Sequence, residues 1–276
     1  MIAGGNEKTI SLPQDWSPTI VAMRKDRLYA WNWLTLYTAS LDKNDRLIRI
    51  RKYNIQRPEK FGLYNGTFDR EGNLMLTCNT KLIVFTVDGQ FQYYQLDDFT
   101  DKAIIDLNGR IWAITRTDNL YVFERSGAKS SDSLHLLKLF RKEMEGGFRT
   151  ITCDRMNRIW IGTRNKGVWC IQTDKHLNIL YKKQFSVKDG LTNNFALDIQ
   201  CDSANNLWIS SPSGLDRLSW NDEKTIVENV TRANNIFQYV TKSVINQNGE
   251  IIGLTSTGNI LKIKPRLSLP TAFESH

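Results

Sequence analysis

The chain has 276 residues, 41% of them hydrophobic and 24% charged, and 37 Lys and Arg against 29 Asp and Glu leave a net charge of +8. That balance excludes a disordered tail, and the absence of any 18-residue apolar run excludes a membrane-spanning helix within these residues. Cys78, Cys153, Cys170 and Cys201, with no Cys-x-x-Cys pair and no Cys/His cluster, argue against a disulfide scaffold and a structural zinc site. The first 16 residues lack the apolar centre of a secretion signal, so either the protein is cytosolic or its signal and anchor lie outside this stretch.

Six copies of one pattern follow one another. A degenerate copy runs from Met23 to Tyr37 and a weak one from Asp69 to Phe85. Strong copies begin at Asp106, Asp154 and Asp202, and another weak one spans Asn246 to Ile263. The residue that opens the second apolar run falls at Leu28, Leu74, Ile111, Ile159, Leu207 and Ile251, at intervals of 46, 37, 48, 48 and 44 residues. Within a copy, an alternating run ends at Asp. A four-residue turn, a run such as Leu207-Trp-Ile-Ser210, a Gly-containing turn, a third alternating run and a more polar fourth run follow. These are strand and hairpin signals.

In the first turn the pairs Asp69/Gly72, Asp106/Gly109, Asp154/Asn157, Asp202/Asn205 and Asn246/Gly249 fit a type I turn. The carboxylate bonds the local backbone and the closing residue tolerates positive φ. These acids are therefore expected to form turns rather than to catalyse or bind metal. Four-stranded units at this spacing specify an all-β fold, a β-propeller, because one blade cannot bury both of its faces alone. Trp112, Trp160 and Trp208 share one position on the second strand. Packing between blades is the favoured reading over a sugar platform. Cys153 and Cys201 also share a position and are expected to be buried, unbridged thiols.

The last copy ends after Ile263 with three strands, and Lys8–Leu12 is a spare strand at the other end of the chain. The expectation is a propeller over residues 1–265 with six blades, the N-terminal strand closing the last one, and a linker over 266–276 toward a following domain. A truncated seven-bladed ring is the alternative. Between Arg24 and Lys60 ten basic and four acidic residues supply +6 of the total charge. The basic runs Arg46–Lys52, Lys138–Lys142 and Tyr181–Lys183 fall on fourth strands, the outer edges of blades, where Lys and Arg deter edge-to-edge pairing. A nucleic-acid surface would need aromatics among basic residues on a concave face, so no nucleic-acid partner is expected.

No GxSxG, Walker, HExxH or GxGxxG signature occurs. The Asp-box of sialidase-like glycosidases, Ser-x-Asp-x-Gly-x-Thr-Trp, is missed: Leu207 precedes Trp208, and Asp202 lies one residue too far away. A lyase resembling the streptogramin-cleaving enzyme would need a loop-face histidine, whereas His135 and His176 fall near outer strands. Paired carboxylates for glycoside hydrolysis could come only from scattered acids ahead of first strands: Asp97, Asp98, Glu143, Glu145 and Asp189. The expectation is a chain that is not an enzyme and carries no cofactor and no metal, with a propeller glycosidase or lyase as the lesser alternative.

Phe185–Phe195, containing Asp189-Gly-Leu191, runs into Leu197–Asp202, Asn206–Ser210 and Gly214–Leu218. With Ile159-Trp-Ile-Gly-Thr163, this resembles the two-component regulator propeller, whose pattern is an Asp-Gly-Leu linker, a strand ending in Asp, Gly-Asn-Leu-Trp-Ile-Gly-Thr, then Gly-Leu. The first copy departs by lacking the turn Asp, and only one clear Asp-Gly-Leu linker is present. The resemblance implies the periplasmic sensor part of a bacterial one-component or hybrid two-component regulator. It also implies glycan ligands, a homodimer and no membrane contact within this stretch.

Loops leading into first strands share a face with the hairpins between second and third strands. The lead-in loops offer Trp16, Phe99, Phe148, Phe195 and Tyr239, and the hairpins offer Arg116, Arg164, Asn165 and Lys166. Aromatic platforms beside Arg and Asn suit an anionic or neutral saccharide, by stacking and forked hydrogen bonds. The alternative is that the aromatics plug the seams between blades and the basic residues are solvated. A protein-interaction scaffold is the remaining functional reading.

Overall fold

The computed structural model describes residues 12–13, 20–24, 27–32, 35–44, 46–55, 63–125, 134–221, 224–233, 240–245, 251–255 and 260–263. Among them the chain forms antiparallel sheets in the order of the repeats, each strand paired with the next in sequence. Sheet 1 holds β1 (Ile20–Arg24), β2 (Arg27–Trp31), β3 (Thr35–Leu41) and β4 (Leu47–Asn54). Sheet 2 holds β5 (Leu63–Phe68), β6 (Leu74–Cys78), β7 (Lys81–Phe85) and β8 (Phe91–Gln95). Sheet 3 holds β9 (Thr100–Ile105), β10 (Ile111–Thr115), β11 (Asn119–Arg125) and β12 (Leu134–Arg141). Sheet 4 holds β13 (Phe148–Cys153), β14 (Ile159–Thr163), β15 (Val168–Thr173) and β16 (Ile179–Phe185). Sheet 5 holds β17 (Asp198–Cys201), β18 (Leu207–Ser211), β19 (Gly214–Asn221) and β20 (Lys224–Asn229), and sheet 6 holds β21 (Val240–Ile245), β22 (Ile251–Thr255) and β23 (Ile260–Ile263).

The first strands β5, β9, β13, β17 and β21 lie beside one another in succession, so first strands stand at the centre and fourth strands at the rim. This is the β-propeller that the repeat predicts. Five sheets have four strands and sheet 6 has three described ones, so six complete blades are not counted among the described residues. The closing strand expected at Lys8–Leu12 lies outside them except for Leu12. That side chain packs on Leu28, Ala30, Tyr37 and Ala39, the face of sheet 1 turned away from sheet 2. The expected boundary at 265 and the linker 266–276 also lie outside the described residues.

Burial follows the layers. Strands β6, β10, β14 and β18 are buried along their whole length, because a neighbouring sheet covers each face. Rim strands β4 and β16 are largely exposed and carry Arg49, Arg51, Lys52, Lys182 and Lys183. Apolar clusters fill the seams between consecutive sheets. Trp31, Leu76 and Phe85 join sheets 1 and 2, Met75, Ala103 and Ile111 join 2 and 3, Trp112, Ile151 and Ile161 join 3 and 4, and Trp160, Ile199 and Ile209 join 4 and 5.

The turn acids are buried turn formers. Asp154 Oδ1 accepts the backbone N–H of Met156 and Arg158, each at 2.9 Å, and Asp106 and Asp202 repeat the arrangement. The closing residues Gly72, Gly109, Asn157 and Asn205 have φ of 102°, 85°, 59° and 66°. The other carboxylate oxygen accepts the indole N–H of the repeated tryptophan: Trp112 on Asp106 at 2.9 Å, Trp160 on Asp154 at 2.9 Å and Trp208 on Asp202 at 2.8 Å. A buried indole N–H left without an acceptor would cost about 1–3 kcal/mol, so the Asp and the Trp six residues later are a matched pair.

The turns are also tied to each other. Asn157 Oδ1 accepts the Leu107 N–H at 2.7 Å and Asn205 Oδ1 accepts the Arg155 N–H at 2.8 Å, so each amide reaches back to the turn of the preceding sheet. Between sheets 2 and 3 the corresponding residue is Gly109, and Arg70 instead donates through Nη2 to the Leu107 carbonyl. Cys153 and Cys201 are half-buried free thiols lying on Asn157 and Asn205. Burial, reinforced by the nearby turn acids, pushes them up to about 12 and about 11. The Asp-Gly-Leu segment is a 3-10 turn, Val187–Asp189, capped by Ser186 and closed by Gly190 at φ 104°, which delivers Leu191 into the seam between sheets 4 and 5.

Candidate functional site

The loop face around the central channel gathers its polar groups on Asp101, near the start of β9. The Asp101 side chain is 5% exposed and accepts Arg116 Nε at 2.9 Å and Arg164 Nη2 at 3.3 Å, while the two arginines stay 41% and 42% exposed. Arg116 leaves the β10–β11 hairpin and Arg164 the β14–β15 hairpin, so one carboxylate holds guanidinium groups from adjacent sheets. The Arg116 guanidinium lies over the half-buried Phe99 ring, 5.4 Å from its centroid, and the Arg116 N–H donates to the Phe99 carbonyl at 3.0 Å.

The supporting loops are fixed by further acids. Asp98 accepts the Phe99 N–H at 2.6 Å, the Thr117 N–H at 2.9 Å and the Thr117 hydroxyl. Burial works against its ionisation, but these hydrogen bonds outweigh it and hold its pKa below the usual carboxylate value. Asp118 accepts the N–H groups of Gly146 and Phe148 at 3.1 and 3.0 Å. The loop it holds turns at Gly146 (φ 133°), where an added Cβ would come within 2.7 Å of Lys166.

Deeper in the channel, Lys102 of β9, Thr150 of β13 and Asp198 of β17 stand at equivalent positions 48 residues apart. Lys102 Nζ is 3.1 Å from both Asp198 Oδ1 and Thr150 Oγ1, and the Thr150 hydroxyl donates to Asp198 Oδ1 at 3.1 Å. Gln200 Nε2 approaches the other Asp198 oxygen at 3.3 Å. The repeat phase of first strands carries the signal for this cluster, since positions 102, 150 and 198 align when Ile111, Ile159 and Leu207 do.

The predicted residues divide. Phe99, Arg116 and Arg164 come together through Asp101, and exposed Asn165 adjoins Arg164. Phe195 is half-buried beside the same hairpin, where the next residue, Ala196, donates to the Thr163 carbonyl at 2.9 Å. Phe148 is corrected: it is 0% exposed and packs in the seam between sheets 3 and 4, so it is a plug and offers no platform. Trp16 and Tyr239 lie outside the described residues. Of the acids considered for glycoside hydrolysis, Asp189 caps the 3-10 turn by accepting from Ser186, and Asp97 pairs with Arg141 at 3.1 Å on the surface. His135 lies on rim strand β12 and His176 in an exposed turn. Among the described residues no three His, Cys, Asp or Glu side chains are grouped to hold a metal, and no helix is long and apolar enough to cross a membrane.

No family model and no curated protein matches the chain. Solved structures do. A catalytically inactive virginiamycin B lyase from Staphylococcus aureus, solved with quinupristin, is similar over 95% of this chain and 89% of its own, at 14% identity and a TM-score of 0.66. The extracellular domain of a candidate hybrid two-component system from B. thetaiotaomicron is similar over 86% of this chain at 18% identity and a TM-score of 0.63. This chain spans only 31% of that domain. A candidate 6-phosphogluconolactonase from Bacteroides uniformis is similar over 86% of this chain and 80% of its own, at 13% identity and a TM-score of 0.61. Two of the three are of enzyme type, so the expectation that this chain is not an enzyme is corrected: missing sequence signatures do not support it. At such identities the likeness establishes the propeller fold alone, whatever the activity of the proteins that share it.

Proposed function

We propose that the chain is the ligand-recognising propeller of an extracytoplasmic sensor and takes a saccharide at the channel mouth. The observation that carries this reading is the convergence of Arg116 and Arg164 on buried Asp101 beside the half-buried Phe99 ring. The carboxylate aligns the two guanidinium groups, and both remain exposed enough to meet a hydroxyl, carboxylate or sulfate. Phe99 and Phe195 supply faces for a sugar ring, and Asn165 an additional amide. The likeness to a two-component extracellular domain supports the sensor role and a periplasmic setting. In this reading a second copy of the chain is the protein partner, and nucleic acid and membrane lipid are not partners.

The test is a thermal-shift series of the purified chain at low salt with neutral, sulfated and uronic oligosaccharides. A ligand that binds the native state raises the melting temperature by mass action. A saturable rise that Phe195→Ala and Arg164→Ala abolish supports the reading, and silence across the panel from folded protein sinks it.

The Lys102–Asp198 pair favours a second reading, turnover of a solute in the channel, with Asp198 as proton acceptor and Lys102 as the cation that steadies developing negative charge. Product formation lost in Asp198→Asn, with binding retained, distinguishes it from the sensor.

A further inference from the structure

The face opposite the channel mouth carries a feature that the saccharide site does not use. Two adjoining hollows of about 300 and 210 Å3 open there and share Arg70 and Glu71. The larger lies on the seam between sheets 2 and 3, between the turns that begin at Asp69 and Asp106, and the smaller against the β1–β2 hairpin. The repeat is broken at this seam. Where Asn157 and Asn205 tie later turns together, Gly109 has no side chain, and a Cβ built on it would meet nothing within 4 Å.

The charges in the hollows do not cancel. Arg125 is taken up by Asp69 at 3.3 Å. The remaining guanidinium groups belong to Arg24, Arg27, Arg70 and Arg110, against the exposed carboxylates of Glu71 and Glu124. Arg24 donates to the carbonyls of Asp69 and Arg70, Arg70 to that of Leu107, and Arg110 to that of Lys175 at 2.6 Å. Arg27 lies over the Tyr29 ring, 5.3 Å from its centroid. Among the described residues none of these four forms an ion pair with a carboxylate. Their partners are neutral, so the side chains are held in place while their charge is left for a ligand.

We propose that this cleft binds a monosaccharide-sized hydroxylated anion: a sugar carrying one carboxylate, phosphate or sulfate. The anionic group meets the guanidinium forks of Arg70 and Arg110, and the hydroxyls donate to Glu71 and Glu124. A larger hollow of about 300 Å3 suits a solute of that size. This site is separate from the channel mouth and stands whether or not a saccharide binds there.

The test is titration calorimetry of the full chain at low salt with glucuronate, glucose 6-phosphate and glucose 6-sulfate, with glucose and inorganic phosphate as controls. The titrations are run in the Arg164→Ala protein, which lacks the channel-mouth site: saturable binding of at least one acidic sugar is expected there, with no binding of glucose. Arg70→Gln and Arg110→Gln should each weaken it about tenfold, since each removes one charge-assisted contact. Because Arg70 also ties two turns together, Arg110→Gln is the variant to read if Arg70→Gln lowers the melting temperature. The proposal is overturned if no acidic sugar binds or if the Gln variants bind like their Arg164→Ala parent. It is equally overturned if inorganic phosphate binds as tightly as the sugar phosphate.

Discussion

Sheets 2 and 4 share a strand order and a turn, yet their buried carboxylates are satisfied differently. In sheet 4, Asp154 Oδ2 accepts Nε1 of Trp160 at 2.9 Å and Nε of Arg158 at 2.6 Å, both from its own sheet. In sheet 2, Met75 stands where the indole would be. Asp69 Oδ2 accepts Nδ2 of Asn73 at 2.6 Å and Nη1 of Arg125, from sheet 3, at 3.3 Å. The carboxylate is the constant part and its donor the variable one. Replacing Trp by Met moves a bond from inside one sheet to the seam between two, and the cleft opens at that seam.

The largest effect expected is for Asp154→Ala. It strips acceptors from the Trp160 indole, from Arg158 and from the turn amides together, and should lower the unfolding free energy in urea by about 3–5 kcal/mol. Arg125→Met leaves Asp69 without its cross-seam cation and should cost about 3 kcal/mol. Installing Met75→Trp in that background supplies the donor that sheet 4 uses. A double-mutant cycle should then show a favourable coupling of about 1 kcal/mol, and strict additivity would break the comparison.

A pH effect comes next in size. Burial raises Cys153 and Cys170 to about 12 and Cys201 to about 11. With folded-state values above the unfolded one, ionisation favours the unfolded chain. Stability is therefore unaffected by these thiols below about pH 9 and falls as pH rises through the folded values. Urea midpoints measured from pH 9 upward should decline, and less steeply in the Cys153→Ala/Cys201→Ala protein. The smallest effect belongs to the exposed loop face, where Arg164→Ala should change stability by less than about 1 kcal/mol while removing saccharide binding.

The strand pattern and the turn acids were legible because period-two alternation and an Asp followed three residues later by Gly or Asn are local signals. The tryptophan stripe was legible as packing, though its hydrogen bond to the turn Asp six residues earlier was not anticipated. The site was only partly readable. Arg116 and Arg164 stood out by their hairpin positions, but Asp101, which joins them, is an ordinary polar residue near the start of an alternating strand. Phe148 lies one repeat position later than Phe99: it pairs with Thr163 of β14 as Thr100 pairs with Thr115 of β10, so its ring falls on the seam between sheets rather than on the loop face. The Lys102–Thr150–Asp198 cluster is invisible to local pattern because its members meet only across three sheets.

The asparagines that reach back from one turn to the one before it make the molecule a chain of nearest-neighbour couplings with a gap. The turns of sheets 3, 4 and 5 are linked through Asn157 and Asn205, whereas the turns of sheets 2 and 3 meet through long arginine side chains. An array whose stability is a sum of unit and interface contributions parts first at its weakest interface. Amide hydrogen exchange should therefore run faster in the turn at Asp69 than in those at Asp106 and Asp154, with the seam between sheets 2 and 3 as the boundary. An anion clasped by arginines from both sides of that seam would weld the two sides into one.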